Sequence, residues 1–174
     1  MTDVSRQTTA VANKAKVQSV RPCLTFKERA EEAVNFYVSV FPNSRVNSLL
    51  RSDGNGPLQK GSLWHASFEL DGQEYTAFDG GPSFSFSEAF SLVVTCETQA
   101  DLDEIWARLS EGGEEGPCGW LKDRFGLSWQ VVPAALGAMM SDTKSGNPAT
   151  MMEALLKMRK LDIAALEKAY RGGA

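Results

Sequence analysis

The sequence contains few residues of the kinds that build metal centres or disulfide frameworks. It has one histidine and three cysteines among 174 residues. The cysteines, Cys23, Cys96 and Cys118, are odd in number and form no C-x-x-C pair, which argues against a disulfide framework and against a thiolate zinc site. We therefore expect reduced, mostly buried thiols.

Two further absences concern partners and location. No segment reaches the roughly 18 consecutive apolar residues that a membrane-spanning helix needs, and the N-terminus has no apolar block typical of a signal peptide. Eighteen basic and 22 acidic residues give a net charge of −4, which disfavours binding to a phosphate backbone or an anionic membrane. These observations predict a cytoplasmic protein that binds neither nucleic acid nor membrane.

Hydrophobic periodicity predicts the same order of elements twice. A strand at residues 20–26 is followed by an amphipathic helix and by three strand candidates at residues 44–52, 62–70 and 73–79. From residue 89 a strand, a helix capped by Thr98 with Asp101, and two or three short strands repeat that order. The pattern predicts an α+β fold in which two βαβββ modules form a cupped mixed sheet.

The length and the local composition predict the domain organisation. A chain of 174 residues fits one domain with a sizeable core. We predict a flexible tail at residues 1–18 and a single domain at 19–174, with modules at about 19–82 and 88–133. A helical extension at 134–171 has apolar residues that must be covered by the sheet or by a second subunit, namely Met152, Leu155, Leu156 and Met158.

Several segments resemble, in chain order, the PhnB-like branch of the vicinal oxygen chelate superfamily: PCLTF, AEEAVNFYVSVFPNSR, FELDGQEY, FDGGPSFSFSEAFSLVV, CGWLKDRFGLSWQVVP and KMRKLDIAALEKAY. The resemblance extends from Val20 to Tyr170 and implies a glyoxalase-like fold. Members of this branch are often labelled 3-demethylubiquinone-9 3-methyltransferase. The superfamily also contains glyoxalase I, extradiol dioxygenases, and fosfomycin- and bleomycin-resistance proteins, and the fold alone does not choose among these activities.

The resemblance also implies where a metal would be bound. The superfamily holds a divalent metal with His or Gln and Glu. By register from Phe36-Tyr37, the first ligand position corresponds to Pro22, the second lies at or near Phe90, and the acidic position corresponds to Gln130. Proline and phenylalanine offer no donor, and glutamine is a neutral, weak one. We therefore predict no metal and no cofactor, and we interpret Gln130 as a ligand-binding residue.

The only histidine lies on a strand that alternates polar and apolar residues, with His65, Ser67 and Glu69 on its polar side. If the apolar side meets the helix, His65 and Glu69 are candidate catalytic residues, and Ser67 is a candidate ligand-binding residue. The alternative is a histidine that forms hydrogen bonds inside a polar cavity or at a dimer surface. A shared metal site for His65 and Glu69 is disfavoured because their Cα atoms are about 13 Å apart in a strand.

Three further residues are candidates for ligand binding. Asp79, which precedes Gly80-Gly81-Pro82, is either an acid at the mouth of the cup or a turn residue. Trp120 and Trp129 offer flat apolar surfaces suited to an aromatic ligand, although such residues also build cores and dimer interfaces.

Two functional hypotheses follow. The first is a homodimeric, metal-free protein that binds a small organic molecule in the cup. The second is a divergent metal-dependent enzyme, of the lyase, dioxygenase or transferase type, that uses His65, Glu69, Gln130 or Asp79 in a shifted site. The methyltransferase label is disfavoured, because an S-adenosylmethionine enzyme needs a glycine-rich turn after its first parallel strand and the sequence has none there.

Overall fold

The computed structural model describes residues 18–56 and 59–172. The flexible tail predicted at residues 1–18 lies outside the described residues, apart from Gln18. The elements of the first module are β1 (Cys23–Phe26), α1 (Ala30–Val40), β2 (Arg45–Arg51), β3 (Leu63–Leu70) and β4 (Gln73–Asp79). Their strands form a sheet of order β1-β4-β3-β2, in which β1 and β4 are parallel and the other pairs are antiparallel.

The second module repeats this topology. Its elements are β5 (Ser91–Cys96), α2 (Gln99–Ser110), β6 (Glu114–Glu115), β7 (Trp120–Lys122) and β8 (Ser128–Pro133). The sheet has the order β5-β8-β7-β6, again with a parallel first pair. The predicted α+β fold of two βαβββ modules is confirmed, and the strands form two separately hydrogen-bonded sheets, one in each module.

Each sheet has one face covered by helices and one open face. In β3, Ala66 and Phe68 are fully buried and belong to the core, whereas the alternating residues His65, Ser67 and Glu69 are only half-buried. Because successive side chains of a strand point to opposite faces, His65, Ser67 and Glu69 lie on the open face. The same alternation in β8 buries Trp129 and Val131 and leaves Gln130 half-buried on the open side.

Helix α2 begins where the sequence predicted it. The Thr98 hydroxyl accepts a hydrogen bond from the backbone N–H of Asp101 at 3.2 Å and donates one to the Asp101 carboxylate at 2.6 Å. This arrangement caps free amides of the first turn. It fixes the direction in which the chain leaves β5.

Aromatic residues join the two modules. The ring of Trp129 lies 5.3 Å from the ring of Tyr37 and is stacked at 5.3 Å on the ring of Phe41, so that the end of α1 packs against the helix-covered side of the second sheet. Arg108 of α2 donates a hydrogen bond of 2.6 Å to the backbone oxygen of Ser39. The modules therefore share one core.

The extension forms α3 (Leu136–Ser141), α4 (Pro148–Leu155) and α5 (Ile163–Tyr170). It is covered mainly by its own chain, since Met151, Leu161 and Leu166 are fully buried. The apolar residues that were predicted to need cover differ from one another in exposure: Leu155 is buried, whereas Leu156 is 63% exposed. None of the described helices is long and apolar enough to cross a membrane.

Candidate functional site

The open face of the first sheet carries the polar residues predicted from β3, but these residues have different hydrogen-bond partners. Glu69 accepts hydrogen bonds from Arg45 at 2.6 Å and from Asn47 at 3.1 Å. Ser67 donates to Glu74 at 3.2 Å. The Glu69 carboxylate is thus directed toward β2, and the geometry does not pair it with His65 as a catalytic dyad.

His65 lies in a different environment, at the wall of a cavity of about 380 Å³ where β3 begins and β4 ends. No hydrogen bond joins its imidazole to any residue in the described part of the chain. The cavity is otherwise mostly aromatic, and its lining residues are Trp64, His65, Phe78, Asp79, Gly80 and Phe84.

Asp79 lines the same cavity, but its carboxylate binds the backbone. One carboxylate oxygen accepts a hydrogen bond from the N–H of Ala30 at 2.9 Å, and the other accepts one from the N–H of Leu63 at 3.1 Å. The side chain therefore connects the start of α1, the start of β3 and the end of β4. Asp79 thus has a structural role in addition to its place in the cavity wall.

The open face of the second sheet is built around Gln130. Its amide nitrogen donates a hydrogen bond of 2.9 Å to the Ser91 hydroxyl, and the strand register places Trp120 and Val93 directly across from it on the two neighbouring strands. Directly opposite residues of an antiparallel pair, such as Gln130 and Trp120, have side chains close enough to interact. Gln130 and Trp120, both predicted as ligand-binding residues, are thus brought together on one surface.

Trp120 also lines a cavity of about 450 Å³ that is bordered by Lys122 and Glu88. Lys122 donates a hydrogen bond of 2.6 Å to Glu88. This contact raises the pKa of the Lys122 ammonium group and lowers the pKa of the Glu88 carboxyl from their ordinary values. Glu88 is exposed and Lys122 is half-buried, and the ion pair lies at the edge of the cavity.

The structure corrects the prediction for Trp129. Its indole is 1% exposed, lies against α1 and donates a hydrogen bond of 2.7 Å to Asp123. A side chain enclosed in this way cannot offer a flat surface to a ligand. The core alternative is the correct one, because in β8 the residue points away from Gln130 toward the helix-covered face.

The donor set does not fit the divalent metal that the resemblance implies. Pro22 and Phe90 have no side-chain donor, and Gln130, whose amide nitrogen donates to Ser91, could offer only the neutral amide oxygen. Within residues 18–56 and 59–172, no group of three or more His, Cys, Asp or Glu side chains is arranged to hold a metal ion. Hard and borderline cations prefer carboxylate or imidazole donors, and the open faces do not assemble them.

A larger cavity, of about 560 Å³, lies between the modules and involves none of the predicted site residues. It is bordered by the end of α1, the β3–β4 hairpin, the end of β5 and the first turns of α2. Its apolar surface includes Phe41 and Tyr75, and partial burial raises the pKa of the Tyr75 phenol. Four of its lining residues are acidic, namely Asp71, Glu97, Asp101 and Glu104.

Two βαβββ modules with helix-backed mixed sheets define a protein of the glyoxalase-like, vicinal oxygen chelate fold. Residues 18–132 match the model of the family described as 3-demethylubiquinone-9 3-methyltransferase, and the chain belongs to that family. The predicted resemblance to the PhnB-like branch is confirmed. The comparison with curated proteins gives no match.

The solved structures that are similar to this chain include the following two. The PhnB protein from Bacillus cereus, which bears the same methyltransferase designation, shares 39% identity with a TM-score of 0.62, and the alignment covers 67% of this chain and all of that one. Protein PA1353 from Pseudomonas aeruginosa shares 22% identity with a TM-score of 0.55, over 66% of this chain and 98% of its own length. The second likeness shows the fold alone.

Sequence reasoning missed two partners of the predicted residues. Glu74, which bonds Ser67 and also forms an ion pair with Arg21, lies on β4 next to the polar side of β3. Ser91 is the partner of Gln130 and lies at the start of β5. Strand alternation could have placed Glu74 on the open face, but only the register between strands shows which side chains meet.

Proposed function

We propose that this protein binds a small organic molecule, without a metal, on the open faces of its sheets. The observation that carries the proposal is the neutral surface formed by Gln130, Ser91 and Trp120 where the resemblance implies an acidic metal ligand. An amide, a hydroxyl and an indole suit an uncharged ligand with polar and aromatic parts.

The methyltransferase designation is a family name, and the structure gives it no separate support. The first parallel strand, β1, leads into α1 through residues Lys27, Glu28 and Arg29, none of which is glycine. A nucleotide-type cofactor needs a glycine-rich turn at this point, so that its polar groups can approach the backbone closely. We therefore retain binding, and no methyl transfer, as the proposed function.

The protein is further proposed to be a cytoplasmic homodimer. Three unpaired cysteines are consistent with a reducing compartment. Large apolar side chains remain exposed on the strands and the connection between modules, among them Leu50 and Phe90. A second copy that buried about 800 Å² per partner would cover such residues, and a single species of monomer mass in sedimentation velocity at micromolar concentration would exclude the dimer.

The metal-free proposal is tested on untagged protein purified without chelator. Elemental analysis should find no stoichiometric divalent metal, and a thermal-shift titration with Mn²⁺, Zn²⁺, Ni²⁺ and Mg²⁺ should leave the melting temperature unchanged. The variant Gln130→Glu, which adds one carboxylate donor at the same position, provides the comparison for metal affinity. Near one equivalent of metal per wild-type chain, or a metal-specific rise in its melting temperature, would overturn the proposal.

Organic binding is tested with the same thermal-shift readout on a panel of small aromatic and aliphatic alcohols and acids. We expect some of these compounds to raise the melting temperature of the wild type and to lose this effect in Trp120→Ala. Leu156→Ala is the matched control, because it also removes an apolar side chain, but an exposed one that belongs to the helical extension and not to the second sheet. Equal responses of both variants would show that Trp120 takes no part.

A further inference from the structure

We infer that the cavity beside His65 binds an uncharged planar aromatic ring, which stacks on the surrounding aromatic side chains and exchanges a hydrogen bond with the imidazole. This inference rests on the proposed function, because it names the class of organic molecule and one place where the molecule binds. It uses none of the residues of the Gln130 surface. The two sites can therefore be tested separately.

The walls of the cavity favour an aromatic ligand. Three of its six lining residues are aromatic, and two of these remain strongly exposed, with Trp64 at 59% and Phe84 at 46%. Phe78, on the open face of β4, is half-buried. A volume of about 380 Å³ lies within the range of small-molecule sites and suits one or two fused rings. Aromatic rings prefer offset or edge-to-face contact with such walls.

The polar groups of the cavity select an uncharged ring with one hydrogen-bonding edge. His65 contributes its imidazole to the lining, and no described residue forms a hydrogen bond with either ring nitrogen. A neutral imidazole can both donate and accept one hydrogen bond. The other polar side chain, Asp79, already accepts two backbone hydrogen bonds, and its negative charge disfavours an anion. An aromatic alcohol or a heteroaromatic N–H meets these conditions.

Gly80 sets the position of the Phe84 wall. A Cβ atom added at Gly80 would lie 2.7 Å from Cδ2 of Phe84 and 2.5 Å from Cγ2 of Thr25. The absence of a side chain at this residue therefore lets the Phe84 ring pack closely over the end of β4. Any larger residue would push the ring away and change the shape of the cavity.

The test uses 2-naphthol as the probe and decahydro-2-naphthol as the matched compound, which keeps the hydroxyl and the two-ring outline but lacks the π system. Because the chain has one histidine, its imidazole gives a single set of proton NMR signals. We expect 2-naphthol to change the chemical shifts of the His65 ring protons through its ring current and to bind more tightly than the saturated compound. Affinities are measured by calorimetry.

Three variants locate the site. Phe84→Leu removes the stacking wall at an exposed position, and we expect the dissociation constant for 2-naphthol to rise about five- to ten-fold. Gly80→Ala should weaken binding of 2-naphthol to a similar extent, because the added methyl group displaces the Phe84 ring. If the collision of that methyl group with Thr25 destabilises the fold, Phe84→Leu, at an exposed position, still provides the test. His65→Ala should weaken binding of 2-naphthol more than binding of naphthalene, and Leu156→Ala should leave both unchanged.

The possible outcomes separate this inference from the broader proposal. Binding that perturbs His65 and is weakened by Phe84→Leu supports the cavity as an aromatic site. Binding that leaves the His65 signals unchanged and is lost in Trp120→Ala would retain the proposed function and overturn this inference. Equal affinity for the saturated and aromatic compounds would overturn the claim of an aromatic ligand. If neither compound nor any member of the alcohol and acid panel binds, both proposals fail.

Discussion

The phenol of Tyr37 donates a hydrogen bond of 2.8 Å to the carboxylate of Asp123, between α1 of the first module and the turn that precedes β8. The same carboxylate oxygen accepts a bond from the Trp129 indole, and the other oxygen accepts bonds from the backbone N–H groups of Phe125 and Leu127 at 2.8 and 3.1 Å. Asp123 is 3% exposed. A buried carboxylate with four donors is satisfied, and it connects the two modules.

Removing one of these donors should destabilise the protein. We expect Tyr37→Phe to lower the free energy of unfolding by about 1.5–3 kcal/mol, because it deletes a hydrogen bond to a buried carboxylate. Urea unfolding followed by circular dichroism measures the change. Tyr170→Phe is the matched control, since its hydroxyl donates to a backbone oxygen of Asp142 at 2.7 Å in a more exposed place. Equal effects of the two substitutions would show that the hydrogen bond to Asp123 contributes no more to stability than the more exposed one of Tyr170.

The same phenol should make stability depend on alkaline pH. Burial, followed by the nearby Asp123 carboxylate, raises the pKa of Tyr37 well above its ordinary value. A raised pKa in the folded state means that the contribution to stability is fully present below the unfolded pKa of about 10 and is lost as pH rises through the folded pKa. Above pH 10 the unfolded chain releases a proton that the folded chain keeps.

We expect the free energy of unfolding to fall by an extra 1.4 kcal/mol or so per pH unit above about pH 10 in the wild type relative to Tyr37→Phe. Urea unfolding of both proteins at pH 9 and pH 11 measures this difference, and titration of the other groups cancels in the comparison. Parallel pH profiles for the two proteins would show that Tyr37 ionises normally in the folded state.

The sequence was sufficient to predict the repeated βαβββ order because strands and helices differ in the period of their apolar residues. Alternation in β3 and the capping residue Thr98 are local signals, and both were interpreted correctly. The role of Trp129 could not be predicted from the local sequence, since an indole in an alternating strand can face either a ligand or a helix. Which face α1 covers depends on contacts between residues that are distant in the sequence, such as Tyr37 and Asp123.

The candidate site was less accessible to sequence reasoning for a related reason. His65 and Glu69 share one face of β3, as alternation predicts, but Arg45 binds Glu69 and leaves the two side chains with different partners. Asp79 preceded two glycines and suggested a turn or an acid, whereas its partners are the distant amides of Ala30 and Leu63. Hydrogen bonds across strands are fixed by register, and the sequence does not state the register.

A glycine between α2 and β6 should tolerate no side chain. A Cβ atom at Gly113 would lie 2.1 Å from the backbone oxygen of Lys122 and 2.9 Å from the backbone of Asp123, and neither can move without shifting β7. We expect Gly113→Ala to destabilise the protein by about 3 kcal/mol. Gly137→Ala is the control, because nothing lies within 4 Å of its added Cβ atom in α3, and alanine favours a helix over glycine.

Thermal unfolding of the two glycine variants measures this contrast. The expected order of melting temperatures is Gly113→Ala well below the wild type and Gly137→Ala equal to it or higher. A Gly113→Ala protein with the same melting temperature as the wild type would mean that the backbone around Lys122 adjusts freely. The position of the neighbouring Trp120 side chain would then be less firmly fixed as well.

Gln99 of α2 makes three hydrogen bonds, two of which connect the second module to the helical extension. Its amide nitrogen donates to the Leu161 backbone oxygen at 3.2 Å and to the Asp103 carboxylate at 2.9 Å, while its amide oxygen accepts from the N–H of Ile163 at 2.8 Å. The Ile163 N–H is one of the first amides of α5, which no bond within the helix can satisfy. Loss of the side chain should therefore loosen the start of α5.

We expect Gln99→Ala to speed amide hydrogen exchange in Ile163–Tyr170 by about ten-fold, which corresponds to the loss of one or two such hydrogen bonds, and to leave exchange in β3 and β4 unchanged. Gln99→Glu is the matched variant: it keeps an acceptor for Ile163 but loses the donor to Leu161 and places a charge beside Asp103, so it should give an intermediate effect. Faster exchange throughout both sheets would indicate global destabilisation instead. Unchanged exchange in α5 would mean that the buried side chains of Leu161 and Leu166 suffice to dock the extension.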